Sequence, residues 1–340
     1  MEKTAIVILN WNGKPLLERF LPSVIAHSTM PDVEIIVADN ASTDNSVSFV
    51  QKKYPQIRII RLNKNYGFAG GYNRALEQVQ ADYFMLLNSD IEVTKNWLTP
   101  LISLMKNNKN IAGCQPKILS LRQPEYFEHA GASGGFVDKN YFPFCRGRIF
   151  NYVEKDNGQY NNRREIFWAS GAAFMIRSDV FKYGGGFDEM FFAHMEEIDL
   201  CWRLKNRGYR FFVEPESIVY HLGGATLNYM TPKKTFLNFR NNLYMIYKNA
   251  EPSKFIGILI TRLFLDTIAA FKFLISLKLT HFFSVIKAHW QFWFTMHLFS
   301  NKRKENKIKS VQFNHPEIYK HSVVIDFYAK GKKKFSDLNI

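Results

Sequence analysis

Three short runs of apolar residues alternate with helix-like stretches in the first part of the chain. The runs are TAIVIL at residues 4–9, EIIVA at residues 34–38 and YFMLL at residues 83–87. Because none of them alternates apolar with polar positions, each is typical of a parallel strand that is buried on both faces. Helices are predicted over residues 15–27 and after the capping-type residues 42–44. This order of elements predicts a doubly wound α/β sheet.

A short polar stretch follows each of these runs. In chain order, the polar residues are Asn10 and Asn12, then Asp39 and Asn40, then Asn88, Ser89 and Asp90. The carboxyl ends of parallel strands lie at one edge of the sheet, and ligands of open α/β sheets bind at that edge. These residues are therefore candidates for one shared ligand site.

The acidic members of this set indicate two kinds of contact. Asp90 could hold Mg²⁺ or Mn²⁺, since both ions prefer oxygen ligands and bridge to substrate phosphates. Asp39 could accept hydrogen bonds from a ribose or a nucleobase. Each also has a structural alternative. Asp90 could instead be a turn residue whose carboxylate accepts hydrogen bonds from the backbone of its own turn. Asp39 precedes a stretch in which Ser42 or Asp44 could start a helix.

Residues 189–208 are predicted to form one helix, followed by a strand over residues 209–213. Near the middle of this helix, Glu196, Glu197 and Asp199 place three carboxylates within four residues. Repulsion between them tends to raise the pKa of at least one carboxyl group, which suits a general base. The alternative is that acids in a first helical turn complement the helix dipole.

His221 is the fourth candidate. It ends an apolar stretch and is followed by Gly223 and Gly224. A neutral imidazole beside such glycines could complete a metal site, although a lone histidine is more often structural.

The composition changes after about residue 235. Residues 255–299 are rich in Phe, Leu, Ile and Trp, but no charge-free stretch approaches the roughly 18–20 residues of a membrane span. At 100° per residue, four charged residues cluster within about a third of the helical circumference and Lys278 lies opposite. An amphipathic helix pair in a membrane interface is one interpretation, and helices packed on the rest of the chain or on a partner subunit are the other. The four clustered residues are Arg262, Asp266, Lys272 and Lys287.

Residues 301–340 contain ten Lys and Arg residues against four Asp and Glu residues. Such a basic tail could contact anionic lipid headgroups or be solvated. Across the 340 residues, 45 basic and 30 acidic side chains give a net charge of +15, which favours anionic substrates or surfaces. The excess is spread out instead of being interleaved with aromatic residues on one surface, so no nucleic acid partner is expected.

The hydrophobic fraction of 46% and the charged fraction of 22% are typical of a folded globular protein. Disordered chains, collagens and small disulfide scaffolds are thereby excluded. Cys114, Cys145 and Cys201 lie far apart without a C-x-x-C pair, which argues against a disulfide framework or a structural zinc site. The apolar run at residues 5–9 is too short for a signal-peptide core. A reducing, cytosolic setting is therefore expected.

Taken together and in order, these stretches resemble the family 2 glycosyltransferases with the GT-A fold, in particular their bacterial rhamnosyltransferase-like branch. The resemblance extends over residues 4–245, and the ordered set of motifs is far more specific than any one of them. The matching stretches are IVILNWNG (6–13), VADNASTDNS (37–46), NKNYGFAGGYNRAL (63–76), FMLLNSD (84–90), FWASGAAFMIRSDVF (167–181), GGFDEMFFAHMEEIDLCWRLKNRGYRF (185–211) and VYHLGGAT (219–226).

The resemblance implies a Rossmann-like α/β fold with a mostly parallel central sheet and helices on both faces, here followed by a C-terminal helical segment. It also implies inverting transfer of a sugar from a nucleotide diphosphate to an acceptor hydroxyl, with Mn²⁺ or Mg²⁺ as cofactor. On this basis, residues 1–235 are expected to form the catalytic domain. Residues 236–300 would form an amphipathic segment that could associate with membrane, and residues 301–340 a basic tail.

The resemblance also assigns roles to individual residues. Glu196 and Glu197 align with the Glu-Asp motif whose second acid is the base, so Glu197 is the expected base and Asp199 the fallback. Asp90 resembles the last acid of the DXD-type metal motif, and His221 resembles the histidine that helps to hold metal and diphosphate. The expected nucleotide and donor contacts are Asn10, Asn12, Asp39, Asn40, Gly70, Gly71, Asn73, Asn88 and Ser89, and the expected acceptor side is Trp168, Ser170, Gly171 and Asp188.

Two positions depart from the family pattern. Asn88 stands where many relatives have Asp, so that Asp90 and His221 would carry more of the metal site. Glu197 stands where the family usually has Asp, and its side chain is one methylene longer. A non-catalytic subunit that binds nucleotide sugars or assembles a glycan-synthesis complex is therefore an alternative to an active enzyme.

The segment Q-x-x-R-W of processive synthases is absent from the sequence, which favours addition of a single sugar. The branch that the chain resembles favours dTDP-rhamnose as donor and a cell-surface glycan or lipid-linked oligosaccharide as acceptor. With an interfacial helix pair and a basic tail, the protein is expected in the cytoplasm, peripherally bound to anionic lipids at the cytoplasmic face of the inner membrane.

Overall fold

The computed structural model describes residues 2–223 and 231–340. The end of the stretch VYHLGGAT, from Gly224 onward, lies outside the described residues. The helices are α1 (Lys14–His27), α2 (Ser46–Lys53), α3 (Gly67–Leu76), α4 (Leu98–Asn107), α5 (Ser178–Tyr183), α6 (Glu196–Asn206), α7 (Pro232–Asn249), α8 (Phe255–Ile275), α9 (Leu279–Thr295), α10 (Ser300–Lys309) and α11 (Val323–Tyr328). Turns of 3₁₀-helix lie at Glu189–Phe191, Met296–Phe299 and Phe335–Leu338.

The strands are β1 (Thr4–Asn10), β2 (Val33–Asp39), β3 (Arg58–Arg61), β4 (Tyr83–Asn88), β5 (Ile91–Val93), β6 (Ile111–Ser120), β7 (Gly135–Asp138), β8 (Pro143–Cys145), β9 (Arg148–Ile149), β10 (Tyr152–Val153), β11 (Arg164–Ile166), β12 (Ala173–Arg177), β13 (Arg210–His221) and β14 (Ile318–Tyr319). In the described chain, nine of them form the main sheet in the order β11-β13-β6-β12-β4-β1-β2-β3, with β5 paired to β13. Strands β1, β2, β3 and β4 run parallel, and β6 runs parallel to β13. Strands β5, β11 and β12 run antiparallel to their neighbours. The predicted α/β fold with a mostly parallel sheet is confirmed.

Two apolar cores cover the two faces of the main sheet. Along β1, Ala5 and Val7 belong to one core and Ile6 and Ile8 to the other, because successive side chains of a strand point to opposite faces. Helices α1, α2 and α4 contribute to the core that contains Ile6, and helices α3, α5 and α6 to the core that contains Ala5. The unbroken apolar runs of the sequence therefore correspond to strands buried on both faces, as predicted.

The first four elements predicted from apolar patterning agree with the structure to within a residue or two. The three strands predicted in the first part of the chain are β1, β2 and β4, and the helix predicted over residues 15–27 is α1. The strand predicted over residues 209–213 is the start of β13, which continues to His221. Residues 120–165, which are polar and rich in glycine and have no clear apolar pattern, form most of a small second sheet in the order β10-β9-β8-β7-β14. Its strands are two to four residues long, too short for a recognisable apolar period.

The single helix predicted over residues 189–208 is wrong in its first half. The chain forms a 3₁₀ turn, then breaks at residues 192–195 and starts α6 only at Glu196. Within the break, Phe192, His194 and Met195 have left-handed backbone conformations, with φ of 65°, 69° and 72°. Such backbone cannot continue a right-handed helix. Glu196 and Glu197 therefore stand in the first turn of a helix and not in its middle.

Residues 301–340 were expected to form a basic tail, but they fold back onto the body of the protein. They contain α10, β14 and α11, and β14 pairs in parallel with β7 of the small sheet. Phe335 and Leu338 are buried in the same core as α3 and α6. The lysines of this segment face outward, and its buried apolar residues are spaced between them along the sequence. The high charge of the segment therefore gave no indication of these buried residues.

The predicted pair of C-terminal helices is present as α8 and α9, which pack against each other and against α7. Their orientation differs from that of a helix whose charged side faces water. Arg262 and Asp266 point into the protein and are almost completely buried. They form an ion pair with 3.2 Å between Arg262 Nη2 and Asp266 Oδ1. Among the described residues, no helix combines the length and the apolar character needed to cross a bilayer.

Replacement of Phe335 by alanine tests whether the last forty residues are an integral part of the fold. Phe335 is 4% exposed, and its ring centroid lies 4.9 Å from that of Phe136. We expect Phe335→Ala to lower the free energy of unfolding by about 3–5 kcal/mol, since a buried ring leaves a cavity. Urea denaturation measures the change. The matched control is Phe264→Ala, because Phe264 is 66% exposed, and its effect should stay within about 0.5 kcal/mol. Equal stability of the two variants would show that residues 301–340 are not packed against the rest of the protein.

Candidate active site

The first two strands of the sheet bring their polar ends into direct contact. Strands β1 and β2 pair so that Asn10 lies opposite Asp39. Asn10 Nδ2 lies 3.2 Å from Asp39 Oδ1 and 3.2 Å from Ser42 Oγ. Asn10 and Asp39 are both buried, and Asn10 Oδ1 has no hydrogen-bond partner among the described residues. The structure therefore places together these two residues, which are expected to bind the sugar donor. One buried oxygen, Asn10 Oδ1, remains without a hydrogen-bond partner among the described residues.

The loop after β1 is tied to the loop after β2. The backbone N–H of Asn12 donates to Ser42 Oγ over 2.9 Å, and Asn12 Oδ1 accepts from the backbone N–H of Thr43 over 2.7 Å. Asp44 Oδ1 accepts from the backbone N–H of Ser46, the first residue of α2. These short polar side chains hold two loops in one arrangement at the edge of the sheet.

Asn40 and the glycine-rich start of α3 form the next part of this edge. Asn40 Nδ2 donates to the carbonyl oxygen of Gly67 over 2.9 Å, and Asn40 Oδ1 accepts from the N–H of Tyr66 over 3.0 Å. A Cβ atom on Gly71 would lie 2.9 Å from Asn40 Nδ2, and one on Gly70 would lie 3.0 Å from Tyr66 Cβ. Close packing within the chain thus accounts for both glycines, and their contact with a donor stays a prediction.

Asp90 and His221 are 131 residues apart in sequence and in contact in the structure. The short strand β5 follows Asp90 and pairs antiparallel with the end of β13, so that His221 lies opposite Ile91. His221 Nε2 lies 3.1 Å from Asp90 Oδ1, and both side chains are buried. Asn88 and Ser89 precede Asp90 and are partly exposed. The two residues expected to hold a metal are therefore brought together by strand pairing.

Glu128 is a third member of this cluster that sequence reasoning missed. Its Oε2 atom lies 3.3 Å from His221 Nδ1, on the opposite side of the imidazole ring from Asp90. Burial raises the pKa of Glu128, but the charge of His221 and its hydrogen bond outweigh that effect and lower the pKa to about 2. Burial likewise opposes the charged form of His221, but Glu128 and Asp90 raise its pKa to about 10. The histidine is thus held between two carboxylates.

Asp90 and His221 could together hold a divalent cation at this position. Among residues 2–223 and 231–340, no group of three or more His, Cys, Asp and Glu side chains is arranged to hold a metal ion. A carboxylate and an imidazole 3.1 Å apart suit an ion that takes its remaining ligands from water and from substrate phosphates, as Mg²⁺ and Mn²⁺ do. Glu128 would orient the imidazole, in the way that carboxylates commonly support metal-binding histidines.

Glu196 and Glu197 form the first turn of α6. Nearby backbone N–H groups, among them those of Gly171 and Ile198, favour the charged form of Glu197 and lower its pKa. Burial outweighs this effect and raises the pKa of Glu197 to about 7, while burial and the charge of Glu197 raise the pKa of Glu196 well above its usual range. In each side chain, Oε2 is buried without a hydrogen-bond partner among the described residues. A pair of this kind holds a proton near neutral pH.

Asp199 lies one turn further along α6 in a very different environment. It is completely buried, and its Oδ2 atom lies 2.7 Å from Lys248 Nζ and 3.1 Å from Arg203 Nε. Its other oxygen accepts a hydrogen bond of 2.7 Å from Asn249 Nδ2. Both carboxylate oxygens are therefore engaged in contacts within the protein.

Asp188 shares Lys248 with Asp199. Its carboxylate lies 2.7 Å from Lys248 Nζ and 2.8 Å from Lys302 Nζ. Burial raises the pKa of Asp188, but the two ammonium groups outweigh it and hold the pKa far below its usual range. Asn73 Nδ2 donates to the carbonyl of the preceding residue, Phe187, over 2.8 Å. Asp188 and Asn73, expected on the acceptor and donor sides, thus both anchor the segment that leads into the break before α6.

The segment of residues 170–172 links the parts of the site. Ser170 Oγ donates to the carbonyl oxygen of Ala130, and the backbone N–H of Ala130 in turn donates to the Glu128 carboxylate. Gly171 lies beside Glu197, since a Cβ atom on Gly171 would be 3.9 Å from Glu197 Cβ. Nearby, Trp168 is buried, and its indole N–H donates to the carbonyl of Phe136, 3.0 Å away. The side chains of Ser170 and Trp168 are thus used within the fold, whereas Gly171 contacts the candidate base.

The break before α6 is held from two sides, and sequence reasoning missed both contacts. The carbonyl oxygen of Phe192 accepts from the N–H of Phe68, 2.9 Å away in the first turn of α3. On the other side, Asn241 Nδ2 of α7 lies within 3.0 Å of three carbonyl oxygens, those of Phe191, Ala193 and His194. One amide group therefore stabilises the left-handed backbone that positions Glu196 and Glu197.

Comparison with known proteins places this site in a family. Residues 5–185 match the family described as glycosyl transferase family 2. The chain is 25% identical over 233 residues to an N-acetylglucosaminyl-diphospho-decaprenol L-rhamnosyltransferase of Mycobacterium tuberculosis, an alignment that covers 64% of this chain and 75% of that protein.

Solved structures show the same fold at lower sequence identity. A structure of GalNAc-T7 with UDP, GalNAc and Mn²⁺ has a TM-score of 0.56 at 16% identity, and the match covers 73% of this chain and 48%, about half, of that one. The mannosyltransferase PcManGT of Pyrobaculum calidifontis, solved with GDP-Man and Mn²⁺, has a TM-score of 0.53 at 12% identity, with 91% and 84% covered. Since the family match extends over more than half of the sequence and the architecture agrees, the chain belongs to glycosyl transferase family 2 and has the GT-A fold.

Proposed function

We propose that this protein is an inverting glycosyltransferase that moves one sugar from a nucleotide diphosphate to a hydroxyl group of a glycan or lipid-linked acceptor. dTDP-rhamnose is the favoured donor. The observation that carries the proposal is the way residues 170–172 join the candidate base to the candidate metal site. Gly171 lies beside Glu197, since a Cβ atom on Gly171 would be 3.9 Å from Glu197 Cβ, and the carbonyl oxygen of the next residue, Ala172, accepts from the N–H of Asn88 over 2.9 Å.

Glu197 is the proposed general base. It would accept the proton of the acceptor hydroxyl while that oxygen forms a bond to the anomeric carbon and the bond from this carbon to the diphosphate breaks on the opposite face. A base works best when its pKa lies near the working pH, and the pKa of about 7 at Glu197 meets this condition. The occupied oxygens of Asp199 favour Glu197 over the fallback. Glu196 would remain protonated beside it.

The donor is proposed to bind along the carboxyl edge of the sheet. Asp39 and Asn10 would contact the nucleoside, because they present buried polar atoms at the ends of adjacent strands. Asp90 and His221 would hold a divalent cation, with Glu128 keeping the imidazole in orientation. When bound, such a cation neutralises charge on the leaving diphosphate.

The proposed donor and acceptor rest on sequence relatives. The mycobacterial relative is an N-acetylglucosaminyl-diphospho-decaprenol L-rhamnosyltransferase, so rhamnose is the sugar that it transfers and a diphosphate-linked decaprenol carries its acceptor. A lipid-linked acceptor would place this chain at the cytoplasmic face of a membrane.

A donor panel tests the proposal. Binding and turnover of dTDP-rhamnose and of UDP- and GDP-linked hexoses are measured on the purified protein, with Mn²⁺, with Mg²⁺ and with EDTA. We expect metal-dependent release of one nucleoside diphosphate, reduced about a hundredfold or more in Asp90→Asn, since charge stabilisation in a dry site contributes this much. Glu77→Gln, at an exposed carboxylate on the far end of α3, is the matched control and should be unchanged. Donor binding without turnover would favour the non-catalytic subunit.

The pH dependence of turnover tests the base. A general base must be deprotonated, so kcat/KM should rise with pH and reach half its maximum near pH 7, the pKa of Glu197. Glu197→Gln should lower kcat by roughly 10²- to 10⁴-fold without loss of donor binding. Glu196→Gln imitates the protonated acid and should stay within a few fold of the natural enzyme. If Glu196→Gln were the more damaged variant, the assignment of the base would be reversed.

Asn241 is proposed to act on catalysis through the backbone before α6. In Asn241→Leu the carbonyl oxygens of Ala193 and His194 lose their donor and that of Phe191 keeps only Arg240, at a cost of about 1–3 kcal/mol, which corresponds to roughly a five- to 150-fold increase in local opening. Hydrogen exchange of residues 189–197 should accelerate by that factor, and kcat should fall while KM for the donor changes little. Asn242→Leu, at the neighbouring position of α7, is the control, because Asn242 bonds to Tyr141 and Arg262 instead of to the segment before α6. Unchanged exchange in Asn241→Leu would refute the positioning role.

A further inference from the structure

Helix α8 presents a continuous apolar stripe to the outside of the protein. The exposed residues recur at intervals of three and four, which is the spacing of one helical face. They are between 44% and 81% exposed, whereas large apolar residues on helices of water-soluble proteins usually face the core. The stripe consists of Ile256, Ile260, Leu263, Phe264, Ile268, Phe271 and Ile275.

Helix α9 continues this surface after a short turn. Its outward residues have the same spacing, and Leu277 in the turn is 85% exposed. The outward residues of α9 and of the turn that follows it are Leu279, Phe283, Ile286, Trp290, Trp293, Phe294 and Leu298. The two stripes and Leu277 together are termed the hairpin face.

Three ionisable residues of the two helices lie on the inner side. Arg262 and Asp266 pair there, and His289 Nε2 of α9 lies 3.1 Å from Asp266 Oδ2. Arg262 also donates to Asn242 on α7 and packs over the ring of Phe142. This network fixes both helices with these three side chains inward. The exposure of the apolar stripes is therefore built into the packing and cannot be relieved by rotating one helix.

The exposed Asp, Glu, Lys and Arg residues within the hairpin, residues 255–299, are all lysines. Residues 255–299 contain a single acidic residue, Asp266, and it is buried. Lys272, Lys278 and Lys287 are exposed, and long lysine stems can lie along apolar surface while the ammonium group reaches outward. Two copies of this face placed against each other would bring cations together without a carboxylate between them. A surface of anionic headgroups over hydrocarbon complements both the lysines and the apolar stripes.

The aromatic residues agree with this occupant. Trp290 and Trp293 lie near the end of α9 and are 61% and 48% exposed. Tryptophan is enriched at the boundary between headgroups and acyl chains because its ring is apolar and its N–H is polar.

We propose that the hairpin face of α8 and α9 lies flat in the interface of an anionic lipid bilayer, with its apolar stripes buried and Lys272, Lys278 and Lys287 at the headgroups. The hairpin is fixed to the site through α7, which packs against α9 and carries Asn241. Membrane binding itself does not depend on the proposed reaction. The delivery of a lipid-linked acceptor to the site does rest on that function.

Vesicle flotation of the purified full-length protein tests the proposal. The vesicles contain either phosphatidylcholine alone or phosphatidylcholine with about 30 mol% phosphatidylglycerol, an anionic lipid that gives the membrane a negative surface potential. We expect the natural protein to float with the anionic vesicles and to be released in part by high salt. The fluorescence of Trp290 and Trp293 should shift to the blue and be quenched by brominated acyl chains.

Three variants locate the surface. The double variant Ile260→Glu with Phe264→Glu should bind anionic vesicles roughly tenfold or more weakly, because two charges replace apolar side chains that enter the bilayer. Ile308→Glu makes the same change at an isoleucine of α10 that is 72% exposed and lies outside the hairpin face, and it should bind normally. Lys278→Gln with Lys287→Gln should weaken binding to anionic vesicles only. Thermal unfolding verifies that the variants are folded.

Two results would contradict the proposal. Failure of the natural protein to float with either vesicle would overturn the proposal. So would a dimer in sedimentation equilibrium that Ile260→Glu dissociates, since the second copy would then cover this face. Release of nucleoside diphosphate in solution should be unaffected in the double variant, so a failure of membrane binding and a failure of the proposed reaction are separable.

Discussion

The parallel register of β1 with β2 and β4 is the constraint on which the site depends. It places Asn10 opposite Asp39 and Leu9 opposite Asn88, so that three polar strand ends finish at the same level. A parallel pair has evenly spaced hydrogen bonds, and its register is kept by the apolar residues on both faces. Because both cores are filled by alternate residues of β1, a slip of one residue would exchange the side chains of the two cores as well as dismantle the site.

The apolar pattern was enough to predict this edge, whereas the pairing of Asp90 with His221 was expected only from the family resemblance. Apolar runs that stop at Asn10, Asp39 and Asn88 are local patterns, and parallel strands bring their ends together by a general rule. The contact between His221 and Asp90 instead depends on the pairing of β5 with β13, and a three-residue strand has no period to detect. Glu128 follows no motif at all, since its position is defined by a loop that reaches the imidazole from the far side.

The errors in the sequence interpretation have a common physical origin. The stretch before α6 has the composition of a helix, but tertiary hydrogen bonds from Asn241 and Phe68 hold it in a left-handed conformation. The segment 301–340 has the composition of a solvated tail, but a few buried side chains such as Phe335 anchor it. In both cases long-range contacts outweigh local propensity, and such contacts exist only in the folded chain.

The pairing of β7 with β14 has a consequence for the order in which the protein can fold. Residues 137–138 of β7 pair with residues 318–319 of β14. The small sheet therefore lacks its edge strand β14 until residue 319 has left the ribosome. At synthesis rates of about 5–20 residues per second, roughly ten to forty seconds separate the two strands. During that interval the edge of β7 is open to other chains, and the apolar hairpin of α8 and α9 emerges before β14 does.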